Sequence, residues 1–167
     1  FNAIADAARP QLGKFNSQEL ANTAWAFATA GVEAHALFNA IADAARPQLG
    51  KFNSQDLANT AWAFATAGVE AHALFNAIAD AARPQLGKFS SQNLANTAWA
   101  FATAGLEAHA LFDGIADAAR RQLGKFNSQA LANTAWAFAC ADSRDYQLFS
   151  EIRSEEHTSE LQSLTNL

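Results

Sequence analysis

A fixed internal period of 37 residues constrains this chain more than any other feature. Phe1, Phe38, Phe75 and Phe112 open four successive copies, and Phe149 opens a fifth that can be followed only to Ile152. A repeat of this length replaces the expectation of one globular core with a stack of small units, each burying its apolar face against its neighbours. The complete copies occupy 1–37, 38–74, 75–111 and 112–148, and 149–152 begins the next. The first two copies differ only at Glu19 against Asp56. Duplication is therefore recent, and positions where copies disagree carry more information than positions where they agree.

Within a copy, Asn16-Ser17-Gln18-Glu19 has the spacing of a capping box, a side-chain acceptor followed three residues later by a carboxylate. Phe15 and Leu20 flank it as a hydrophobic staple. A helix, A, is expected to open there and to close at Gly31, the residue best suited to a left-handed C-terminal turn. At helical spacing, Leu20, Ala21, Ala24, Trp25, Phe27 and Ala28 form one broad apolar face, with Glu19, Asn22, Thr23, Ala26, Thr29 and Ala30 opposite. Trp25 and Phe27 read as the large groups cementing adjacent repeats.

A second helix, B, is expected from about Glu33 to Gly50, with Leu37, Phe38, Ile41, Ala45 and Leu49 in phase. Its outer face carries His35, Asn39, Asp43 and Arg46, the last two spaced for a surface ion pair. Pro47 should kink the last turn by deleting a backbone donor, although the fourth copy carries Arg121 there. In that copy Ala141-Asp-Ser-Arg-Asp-Tyr146 replaces the A-to-B turn, where Asp142 or Ser143 would cap helix B. The fold expected is all-α, an α-solenoid of two-helix repeats.

Repeat logic stops at Ile152. Residues 153–163, Arg-Ser-Glu-Glu-His-Thr-Ser-Glu-Leu-Gln-Ser, resemble the in-frame translation of a sequencing adapter, so 153–167 reads as a non-native tail. Removing its one arginine and three glutamates takes the formal charge from −5 to −3. Either value argues against a polycation that coats nucleic acid non-specifically. No run nears the roughly 18 apolar residues of a membrane span, so a soluble array without membrane contact is expected. Cys140 is the sole cysteine, which excludes an internal disulfide and fits a reducing or organellar compartment. The chain lacks methionine and opens in mid-repeat, so it reads as a fragment of a longer protein.

Catalysis is not expected. Asp6 with Glu19, or Asp43 with Glu70, lie on different helices, and no nucleophile triad or phosphate loop stands out. His35, His72 and His109 recur once per copy, but stacked helices lie about 8–10 Å apart, whereas zinc ligands converge within about 2 Å of the ion. They read as a surface ladder, with Tyr146 in the fourth copy, and no metal or cofactor is expected.

The copies disagree most tellingly at repeat position 19, which reads Glu19, Asp56, Asn93 and Ala130. Acceptor, acceptor, donor-plus-acceptor and neither would be offered in succession, as in a modular base reader. The competing account is helix capping, since this is also the third residue of helix A. Asn22, Asn59, Asn96 and Asn133 suit either base contacts or a structural ladder between repeats. Lys14, Lys51, Lys88 and Lys125 precede the first turn of helix A, placed either to hold a phosphate or to complement the C-terminal dipole of helix B.

With Gln18-x-Leu-Ala-Asn-x-x-Trp-Ala26 on helix A at this period, residues 1–152 resemble the octotricopeptide and heptatricopeptide repeat families. The period of 37 fits the heptatricopeptide type, and the Pro-Pro-Pro-Glu-Trp signature of the octotricopeptide type is absent. The resemblance implies a solenoid that binds single-stranded RNA in a chloroplast or mitochondrion, acting in transcript stabilisation, processing or translation, often with an RAP domain farther along the chain. On that basis helices A line the concave surface, position 19 and the Asn22 equivalents read bases, and the lysines hold phosphates. At one base per repeat, four copies would read about four nucleotides, so a longer array is expected. The competing class is a scaffold whose groove holds a protein partner.

Overall fold

The computed structural model describes residues 1–141 and contains eight α-helices there: α1 (Asn2–Ala8), α2 (Ser17–Thr29), α3 (His35–Ala45), α4 (Ser54–Thr66), α5 (His72–Ala82), α6 (Ser91–Thr103), α7 (His109–Arg120) and α8 (Ser128–Cys140). The cap expected at Asp142 or Ser143, Tyr146, the start of the fifth copy at 149–152 and the tail 153–167 lie outside the described residues. The even-numbered helices are the A helices and the odd-numbered ones the B helices. Neighbouring repeats stack A on A, α3, α5 and α7 each pack against the A helix just before them in the chain, and the protein is an all-α helical-repeat solenoid.

Local chemistry sets the A helices. Asn16 Oδ1 accepts the Glu19 N–H at 2.9 Å while the Glu19 carboxylate accepts the Asn16 N–H at 2.8 Å, the reciprocal box expected from the sequence. Asn53 and Asp56 repeat it, with a longer return bond of 3.4 Å. Ser90 and Asn127 cap α6 and α8 through the N–H of Asn93 and Ala130. At the other end Gly31, Gly68 and Gly105 adopt φ between 62° and 65°. Gly31 N–H bonds Ala28 O and Val32 N–H bonds Phe27 O, the paired arrangement that satisfies a helix's last carbonyls.

The B helices are shorter than the sequence suggests. They begin at His35 and its equivalents, with Ala34, Ala71 and Ala108 at the cap position and no side-chain cap bond. Proline ends the α-helix instead of kinking it: α3 stops at Ala45, and Arg46–Lys51 continues as a 3-10 helix. With no N–H on Pro47 the i→i−4 ladder cannot continue through it, and the tighter i→i+3 pattern takes over. Where Arg121 replaces the proline, α7 gains a residue at its end and the 3-10 segment shrinks to Leu123–Lys125.

Leu37, Phe38, Ile41, Ala45 and Leu49 are buried as their phase requires, and so are their counterparts in the following copies. Phe38 meets Phe64 edge to face at 5.0 Å, Phe75 meets Phe101 at 5.1 Å and Phe112 meets Phe138 at 5.2 Å, joining B to A in each unit. The outer ion pairs form as expected, from Asp6–Arg9 at 2.6 Å to Asp43–Arg46 at 3.8 Å. Their exposure makes them minor contributors to stability.

One inter-repeat bond has no sequence signature. Gln48 Nε2 donates to the Phe15 carbonyl at 3.2 Å, Gln85 to Phe52 at 3.4 Å and Gln122 to Phe89 at 3.0 Å. Each glutamine thereby ties its B-helix extension to the chain entering the A helix of the preceding copy.

Candidate nucleic-acid interface

An A helix inside this stack has neighbours on three sides. Leu57, Ala61 and Phe64 of α4 are buried towards the core and the B helices. The side carrying Asp56, Thr60 and Ala63 is also buried in α4, yet in α2, the first A helix among the described residues, Glu19 and Ala26 are exposed. The side carrying Ala58 and Ala65 is buried as well, whereas Ala132 and Ala139 of α8 are exposed, no described helix following them. These end effects identify which side faces the preceding A helix and which the next.

Three positions therefore differ from the sequence reading. Thr60, Thr97 and Thr134, expected outside, are buried between A helices, and each hydroxyl donates to the carbonyl four residues earlier at 2.7 Å. That internal bond removes the cost of burying them. Ala63, Ala100 and Ala137, also expected outside, are fully buried, their small size allowing the helices to approach closely. Trp25, expected in the core, is 46% exposed, Trp136 is 47% exposed, and Trp62 and Trp99 are half-buried. Phenylalanine fills the buried core, while Trp62, Trp99 and Trp136 meet one another from repeat to repeat at its half-buried to exposed edge.

The fourth side of each A helix faces solvent. It carries Gln18, Asn22, Trp25 and Thr29 in α2, and the same stripe recurs through Gln129, Asn133, Trp136 and Cys140 in α8. Offsets of four, three and four residues keep these side chains in line along the helix. Because the A helices lie side by side, the stripes combine into one surface with columns of Gln, Asn, Trp and Thr running across the repeats. It holds no charged side chain.

The candidate residues fall in different places. At position 19, Glu19 is exposed but bound into its cap, Asp56 is 5% exposed and also bound into its cap, and Ala130 is 6% exposed. Asn93 is half-buried, and its Nδ2 lies 3.5 Å from the Ser54 hydroxyl of the preceding repeat. This position thus lies on the side facing the preceding A helix, not at the centre of the solvent face. Asn22 is exposed, Asn59, Asn96 and Asn133 are half-exposed, and none of these side-chain amides bonds any described residue. The ladder of asparagine hydrogen bonds that the sequence allowed does not form. Lys14, Lys51, Lys88 and Lys125 are exposed, each the last residue of its 3-10 helix and two residues before the cap of the next A helix.

His35, His72 and His109 are exposed at the starts of the B helices, and among the described residues no three His, Cys, Asp or Glu side chains converge on a common point. No described helix is long and apolar enough to cross a membrane. Residues 1–141 carry nine basic and ten acidic side chains, against two and six in 142–167. Residues 1–141 are thus nearly neutral, and most of the formal acidity belongs to 142–167.

No curated protein matches the chain. Residues 115–134 match the model of a protein family of unknown function, DUF1601. Residues 2–107, well over half the chain and nearly three repeats, match the N-terminal domain of the Tbc2 translation factor. The repeat array thus belongs to the Tbc2 translation factor N-terminal domain family.

Proposed function

We propose that this array is a sequence-selective single-stranded RNA-binding module of the octotricopeptide or heptatricopeptide kind, serving translation, processing or stabilisation of chloroplast or mitochondrial transcripts. Membership of a translation-factor domain family supports this reading. The observation that carries it is the column Asn22, Asn59, Asn96 and Asn133, unbonded amides at one place per repeat on the open side of the A helices. Each offers both a donor and an acceptor, the equipment needed to bond an unpaired base edge.

The chemistry is binding, not catalysis. Position 19 is engaged in capping and inter-repeat packing, so base contacts pass chiefly to the asparagines, with Glu19 and Asn93 at the border of the surface. Lys14, Lys51, Lys88 and Lys125 hold phosphates at the N-terminal edge. Near-neutral charge over residues 1–141 places little general repulsion in the way of an anionic ligand.

A titration of the whole chain with a random-sequence pool of single-stranded RNA, followed by fluorescence anisotropy, tests this. Saturable binding at low salt that weakens as salt rises is expected. Absence of RNA binding at low salt, together with capture of peptides from a displayed library, overturns it in favour of a protein-binding scaffold.

A further inference from the structure

We propose that Trp25, Trp62, Trp99 and Trp136 form a base-stacking platform, each repeat presenting one indole face to one unpaired base of a single-stranded RNA. The inference rests on the RNA-binding reading above and assigns it a contact surface. All four tryptophans of the chain stand at the same repeat position. They stand on the open side of the A helices, Trp25 and Trp136 exposed and Trp62 and Trp99 half-buried.

The fully buried aromatic positions are filled without them. Phe27, Phe64, Phe101 and Phe138 provide the buried aromatic contacts, while Trp25 and Trp136 leave nearly half their surface in water. The inner Trp62 and Trp99 are half-buried and pack against the edge of the core, while at the two end repeats this exposure forgoes burial that would otherwise stabilise the fold. A ligand with a flat apolar face recovers it.

From Trp62 onward the indoles run in a row across the repeats. Trp62 and Trp99 have ring centroids 6.4 Å apart with planes inclined by 32°, and Trp99 and Trp136 stand 6.5 Å apart at 34°. These spacings are close to twice the roughly 3.4 Å rise per base of a stacked strand. From Trp62 to Trp136 the indoles thus form a row of inclined rings, and rotation of neighbouring rings towards parallel would let a base enter between them. Aromatic platforms of this kind accept any base, because every base has a π-face.

The surroundings suit the same ligand. One helical turn before each tryptophan, about 4.5 Å along the axis, lies an unbonded asparagine amide in reach of the edge of a stacked base. One turn after it lies Thr29, Thr66, Thr103 or Cys140. No carboxylate interrupts the stripe to repel phosphates. Stacking would hold the bases while the amides distinguish them.

Because every tryptophan belongs to the column, intrinsic fluorescence reports on the platform directly. Titrating the full chain with the random single-stranded RNA pool should quench the emission in step with the anisotropy signal. Trp25→Ala and Trp136→Ala, at the most exposed positions, should retain the helical circular dichroism and lose roughly 5- to 150-fold in affinity each. Trp25→Phe should recover most of it. Wild-type binding with unchanged emission, and undiminished affinity in both alanine variants, overturns the platform while leaving RNA binding intact. If the wild-type chain binds no RNA at low salt, the parent reading fails and the platform fails with it.

Discussion

Gln122 Nε2 lies 3.0 Å from the carbonyl oxygen of Phe89, a bond that spans two repeats and recurs from Gln85 to Phe52 and from Gln48 to Phe15. The accepting carbonyl lies just before a helix cap, where the chain has left one helix and not entered the next. Replacing Gln85 or Gln122 by alanine should lower stability by about 1 kcal/mol each. Urea denaturation of the single and double variants would read this, and an unchanged midpoint would show that water satisfies the carbonyl equally well.

Gly68 tests the helix stop in isolation. Its φ is +63°, and a Cβ added there meets nothing within 4 Å, so any penalty comes from the backbone alone. Gly68→Ala should cost about 1–2 kcal/mol, and Gly68→Asn less, since asparagine tolerates this conformation. Thermal melts of the two variants give the order, and equal melting points would contradict it.

The exchange of roles between the aromatics predicts opposite phenotypes. Phe64 is fully buried and packs on Phe38, so Phe64→Ala should cost about 3–5 kcal/mol. Trp25→Ala, at a half-exposed site on the end repeat, should cost far less. Comparable destabilisation in chemical denaturation would return tryptophan to the core.

Position 19 separates capping from recognition. Exchanging Glu19 and Asn93 removes the return half of one capping box and the contact with Ser54, so a change in melting temperature is expected with little change in RNA preference. Asn59→Ala and Asn96→Ala should do the reverse. Selection of bound sequences from a random pool, performed on each variant, distinguishes the two patterns.

The lysines should act without regard to sequence. Lys51→Ala and Lys88→Ala are each expected to weaken binding of all RNAs alike and to reduce the slope of log affinity against log salt by roughly 0.7, the value for single strands. An unchanged slope assigns these residues to the helix C-terminal dipole.

The sequence by itself determined everything that depends on groups within about four residues of one another: the period, the caps at Asn16 and Asn53, the glycine stops, the phase of Leu37, Phe38 and Ile41, and the i,i+3 ion pairs. Pro47 announced an interruption, but the change to a 3-10 helix was set by how the remaining carbonyls found donors. Which sides of the A helices are covered was decided only by tertiary structure. A helical projection distinguishes apolar from polar, whereas an A helix in this stack has three covered sides and one open one. Alanine and threonine pack well in the narrow gap between parallel A helices, so Thr60 and Ala63 went inside although they read as surface. The bulk of tryptophan does not suit that gap, and Phe64 already fills the B-facing side. Trp62 and its equivalents consequently stand on the open side beside Asn59, where docking of whole helices, and no local propensity, put them.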